Sequence, residues 1–149
     1  MNLYFLTINV MALAQGNRVS GVRHMVPVLA GAALVAGDIV QSVEATGSNT
    51  VNVCATNKAV FGIASVAIAS GATGDIDNIQ PGDQFWVKII TGTMDATFVG
   101  KFADLTGALA ATGITLTNTN NDVRIMGWDG KTTNFCIVEF LNTEVTRNL

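Results

Sequence analysis

Few side chains in this sequence have the type and spacing that chemistry requires. His24 is the only histidine, so a multi-histidine metal site is out of reach. A Cys–His nucleophile pair would depend on the distant Cys54 or Cys136. Between Arg23 and Met25, His24 reads as a structural or interface residue. Asp75 and Asp77 stand two apart, which on a strand puts both carboxylates on one face. With Asn78 they could approach a calcium ion, but the segment lacks the acidic density of a dedicated loop and reads as solvated. Asp38 and Asp83 each follow a glycine at a turn, where Asp is favoured for bonding to nearby backbone. No glycine-rich loop has the spacing plus Lys that cradles phosphate, and no serine sits in a nucleophile-elbow context. The expectation is a non-enzymatic chain with no catalytic residue, no metal and no cofactor.

The elements that would carry these residues read as strands. Residues 1–25 form an expected extended N-terminal arm and 26–149 a single β domain. Within the arm, Leu3–Val10 is rich in aromatic and β-branched residues, and Gly16 and Gly21 break regular structure after it. Tyr4, Phe5, Ile8 and Val10 are the expected protein-interface residues, because an extended apolar segment can add a strand to a neighbouring sheet. Its other reading is an edge strand of its own domain. Ala12-Leu13-Ala14 mimics a signal-peptidase site, but a positive n-region is missing, so an intracellular product is expected, with Met1 or Met11 as its start. Pro27 and Gly31 discourage a helix over Met25–Ala36, leaving room for one helical turn at Ala30–Ala36.

Further on, short β-rich runs alternate with Gly and Asn turns. Strands are expected at Ile39–Val43, Thr50–Ala55, within Ala59–Ala69, between Gly74-Asp75 and Pro81, and at Phe85–Ile90, Ala96–Phe102, Ile114–Thr117, Val123–Trp128 and Thr132–Phe140. Asp129-Gly130 predicts a tight hairpin turn between the last two. One helix is expected around Ala103–Ala111, weakened by Gly107. This spacing points to an all-β fold: a small β-barrel, or a β-tulip-like or sandwich domain. Ala36-Gly37-Asp38-Ile39-Val40 echoes Pro81-Gly82-Asp83-Gln84-Phe85, which reads as reused turn chemistry rather than duplication.

Composition narrows the function classes. Apolar residues make up 49% and charged residues 13%, which excludes a disordered chain and leaves a surface of small neutral side chains suited to packing on neighbours. Eight scattered Lys and Arg and a net charge of −3 cannot neutralise a run of phosphates, so no nucleic-acid partner is expected. No apolar run approaches the roughly 20 residues of a membrane helix, and no membrane partner is expected. Cys54 and Cys136 lie in apolar strand patterns and read as buried free thiols.

The rhythm of Val35-Ala36-Gly37-Asp38-Ile39-Val40, Ala59-Val60-Phe61-Gly62-Ile63-Ala64 and Pro81-Gly82-Asp83-Gln84-Phe85-Trp86-Val87 resembles that of tailed-phage capsid decoration (cement, or head-stabilising) proteins. Arg124-Ile125-Met126-Gly127-Trp128 before the final hairpin is similar too, and the likeness spans residues 26–141. The resemblance implies a protein made in the host cytoplasm and located in the virion, on the capsid exterior. There it would bind the major capsid protein as a homo-oligomer, a trimer favoured, and clamp neighbouring subunits against internal pressure. Two alternatives stand beside it: another virion part, such as a tail-tube or head-fibre base subunit, and a small β-barrel ligand-binding module.

Overall fold

The computed structural model describes residues 15–43, 49–54, 58–106 and 112–144. Eleven strands run through them: β1 (Arg18–Ser20), β2 (Met25–Ala30), β3 (Ile39–Ser42), β4 (Thr50–Val53), β5 (Gly62–Ala64), β6 (Thr73–Asn78), β7 (Gln84–Thr91), β8 (Phe102–Thr106), β9 (Gly113–Thr115), β10 (Val123–Gly127) and β11 (Phe135–Phe140). The fold is all-β, and it closes into two small barrels.

The first barrel is β2-β4-β3-β5-β6. The second runs β7-β11-β10-β8-β9 and closes through the parallel pair β7–β9, with β1 added to the edge of β7. Their topologies are the same. In each, the first strand in sequence pairs parallel with the third and antiparallel with the fifth. The second strand pairs antiparallel with the third and fourth, and the fourth with the fifth.

The registers also match. Ile39 faces Ile63, which faces Asp77; in the second barrel Phe102 faces Arg124, which faces Glu139. Even the turn before the second strand is reproduced. The amide of Gly37 donates to the Ala64 carbonyl (2.8 Å) and Ala64 donates back to Asp38 (2.9 Å). Gly100 donates to Ile125 (2.8 Å) and Ile125 to Lys101 (2.9 Å). Gly37 and Gly100 have φ of 93° and 89°, a left-handed geometry that only glycine adopts without strain. The chain is thus a tandem repeat of one five-stranded unit. The echo at Asp38 and Asp83 is a different matter. It marks two similar turns, each with an Asp carboxylate accepting from the amide three residues earlier, but they precede non-equivalent strands, β3 and β7.

Strand alternation explains the core. Val26, Val28, Val40, Val51, Ala64 and Ile76 fill the first barrel. Phe85, Val87, Ile89, Leu105, Ile125 and Val138 fill the second. Ile39 and Ile63, on the outward face of the first barrel, join the cluster of the second and so pack the two units together.

Four sequence expectations fail. Where a helix is expected around Ala103–Ala111, residues 102–106 form β8, because Ala103 and Leu105 alternate into the barrel; residues 107–111 lie outside those described. The expected strand at Ala96–Phe102 begins instead as a 3-10 turn, Ala96–Phe98, since Asp95 captures the Thr97 amide at 2.7 Å. The tight turn at Asp129-Gly130 is a wider connection over 128–134. Only Gly130 takes positive φ, and the Asp129 carboxylate accepts from the Lys131 and Thr132 amides. Residues 31–36 form bends and a turn rather than a helical turn, with Leu34 bridged to Ile68.

Candidate functional site

Tyr4, Phe5, Ile8 and Val10 lie outside the described residues. The arm is described from Gln15 onward. The Gln15 amide group donates to the carbonyls of Gly37 (3.1 Å) and Thr112 (3.4 Å), and its side-chain oxygen accepts from the Lys88 amide. One side chain therefore stitches together the two barrels. Arg18–Ser20 then pairs with β7 as far as Phe85, while β9 takes the same edge from Ile89.

Arg18 is the electrostatic centre of this junction. Its guanidinium meets Asp77 of the first barrel through two bonds, Nη2 to Oδ1 at 2.7 Å and Nε to Oδ2 at 3.2 Å. It reaches Asp83 Oδ2 at 2.7 Å and lies 4.7 Å above the Phe85 ring. Burial works against its charge, but the bonds to Asp77 and Asp83 outweigh that and hold its pKa above the usual arginine value. Asp77 also accepts the His24 backbone amide at 3.1 Å. The His24 side chain is exposed and takes no part.

These contacts occupy groups on which the calcium reading of residues 75–78 would draw. Asp77 is committed to Arg18, Asp75 is exposed, and the Asn78 amide group donates to the Phe61 carbonyl at 2.8 Å. Among the described residues no group of three or more His, Cys, Asp or Glu could hold a metal ion. Cys54 and Cys136 are free and buried, and burial pushes both thiols up to about 12.

Asp104 and Asp122 are buried carboxylates that no sequence motif singled out. Asp104 accepts from the Thr117 hydroxyl and from the amides of Thr119, Asn120 and Asn121. Burial opposes its charge, yet these four donors win and hold it below the ordinary Asp value. Asp122 accepts the Leu105 amide at 2.9 Å. Both organise loops around the second barrel. The tip Asn118–Asn121 is polar in sequence; the carboxylate beneath it lies too far away in the chain to be read.

The surfaces of the two barrels differ at equivalent positions. Ile39 and Ile63 are 1% and 2% exposed, covered at the junction. Their counterparts Phe102 and Arg124 face outward, Phe102 at 42% exposure, with Met126 beside them at 37%. A second surface feature is a groove of about 480 Å³ between the arm and the first barrel, walled by Gly16 and Asn17, Arg23 and Asp77, and the stretch Ile63–Val66.

No family model matches this chain, and no curated protein matches it. Among solved structures it is similar to the head fiber gp8.5 N base of bacteriophage phi29. That likeness covers 85% of this chain and 100% of the other, at 12% identity and a TM-score of 0.56. At such identity what the two share is the fold: an all-β barrel architecture also used by a phage structural protein.

Proposed function

We propose that this chain is a non-enzymatic structural subunit of a phage virion, seated on the capsid exterior as a homo-oligomer. The observation that carries the reading is the bare face of the second barrel. The first barrel buries Ile39 and Ile63 against its neighbour, whereas the second leaves Phe102, Arg124 and Met126 in water. A repeat that uses one face for docking and leaves its twin open is built to receive another unit. Contact with the first barrel of a second copy is heterologous, and three copies would close it into a ring of alternating first and second barrels. Low charge and small neutral side chains favour such packing. A ring of this kind presents one flat end to the major capsid protein, where it would clamp neighbouring subunits. The fold likeness to a head fiber base favours a head-fibre base over a cement protein.

Mass measurement on the purified chain, followed by co-sedimentation with capsid shells, tests this directly. A trimer that pellets with shells is the expected result. Phe102→Asp with Met126→Lys should dissociate it, because both substitutions put charge at the core of the contact. A monomer that ignores shells at micromolar concentration overturns the reading.

A further inference from the structure

We infer that the Phe102 face of one chain docks on the first barrel of a second copy, on the wall that carries Leu29, Gly31, Asn49 and Asp75; this rests on the homo-oligomer reading above. The joint between chains would then repeat the joint within the chain. At that inner joint, Asp38 and Ile39 of the first barrel meet Thr112 at the start of β9. The Thr112 hydroxyl donates to Asp38 Oδ1 (3.2 Å) and accepts from the Ile39 amide (3.1 Å). Beside them a cleft of about 220 Å³ separates Val35–Asp38 from Lys88 and Ile90 of β7. The first barrel thus contributes a docking face, and the second a wall made by β7 and the start of β9.

The registers give each of these residues a counterpart. On the docking face Phe102 stands for Ile39, Lys101 for Asp38 and Arg124 for Ile63. On the wall Leu29 stands for Lys88, Gly31 for Ile90 and Asn49 for Thr112. One joint uses one face and one wall, so each chain keeps one of each. Lys101, Phe102 and Arg124 are exposed on the leftover face, and Gly31 and Asp75 on the leftover wall. A second copy supplies the missing half of both.

The leftover halves also match in chemistry. At the inner joint the face accepts, through Asp38, and the wall donates, through Thr112. At the outer joint both roles reverse: Lys101 can only donate, and Asn49, whose Nδ2 already donates to the Pro27 carbonyl, has its Oδ1 to accept with. Bulk changes in step as well. Ile39 gives way to the larger Phe102 on the face, and Ile90 gives way to Gly31 on the wall. Ile63 lies against Gly16 of the arm, which is bonded to Trp86. The counterpart of Trp86 is Pro27, which has no N–H to hold such an arm. Arg124, longer than Ile63, can span the space that the arm takes at the inner joint, and Asp75 stands across β2 as the register partner of Pro27. Among the described residues neither Arg124 nor Asp75 makes an ion pair, so each brings an unpaired charge of the sign the other needs.

Charge reversal in the full chain tests this. Arg124→Glu alone, or Asp75→Arg alone, puts like charges into every joint and should weaken assembly by about 10-fold or more, read as the dissociation constant in sedimentation. The double variant, Arg124→Glu with Asp75→Arg, restores opposite charges at every joint and should reassemble. Both side chains are exposed, and recovery in the double variant separates a broken joint from a damaged fold. An oligomer that ignores either single substitution, or a double variant that stays apart, overturns this joint and leaves the oligomer itself standing. A wild-type chain that is monomeric overturns both readings.

Discussion

Arg18, on the strand that edges the second barrel, is held by Asp77 on the last strand of the first, through paired bonds of 2.7 and 3.2 Å. Both side chains are about nine-tenths buried, so neither can turn to water if its partner is lost. The Arg18–Asp77 pair therefore tests whether the two barrels are one cooperative unit.

Arg18→Ala should lower unfolding stability by about 3–5 kcal/mol, the usual cost of stranding a buried charge. Denaturant unfolding followed by Trp fluorescence measures it. The double variant Arg18→Ala with Asp77→Ala should cost less than the sum of the single variants, and strict additivity would show that the pair does not couple.

The repeat supports a matched comparison. Gly37→Ala and Gly100→Ala both force alanine into left-handed backbone, at about 1–2 kcal/mol each. At Gly100 an added methyl meets nothing within 4 Å, whereas at Gly37 it would lie 2.8 Å from Gln15 Cγ. Gly37→Ala should thus be the more destabilising of the two, measured as the difference in melting temperature. Equal losses would mean that Gln15 does not press on the turn.

Acid should loosen the second barrel through Asp104. Its folded pKa is depressed by four donors that outweigh burial, so its contribution is present above the unfolded value of about 3.9 and is lost as pH falls through the folded one. Asp104→Asn should flatten the fall in stability below about pH 4, and should lower stability at pH 7. A wild-type pH profile unchanged by the substitution would contradict this.

Alkali acts on the thiols. Burial raises Cys54 and Cys136 to about 12, so their stabilising contribution is full below the unfolded thiol range near pH 8.5 and is lost as pH rises towards about 12. At pH 8 a thiol reagent should react slowly with native protein and report two thiols after unfolding. Rapid reaction of either cysteine in the native state would show that its barrel opens.

A chelator should leave the melting temperature unchanged, because Asp77 is held by Arg18 and Asn78 by Phe61. A fall of several degrees with EDTA would restore a calcium site at residues 75–78.

What could be read from the sequence was local. Aromatic and β-branched content at Phe85–Ile90 and Val123–Trp128 marked strands, because such side chains favour extended backbone locally. Gly37-Asp38 and Gly82-Asp83 marked turns, because left-handed backbone and a short carboxylate are local needs. The absence of a nucleophile, base or metal motif was equally open to reading.

Tertiary structure alone decided the rest. Of the strand pairs, Val28 and Val87 are identical across the repeat, but Ile39 answers to Phe102 and Ile63 to Arg124. A barrel requires only apolar volume at inward positions, so two copies can drift apart in sequence while keeping topology and register. Outward positions are set by what covers them: the second barrel buries Ile39 and Ile63, and water meets Phe102 and Arg124. Whether Ala103–Thr106 is helix or strand was likewise settled by distant partners, β9 and β10, which its own residues could not announce. The Arg18–Asp77 bond joins residues 59 positions apart, and only closure of both barrels brings them together.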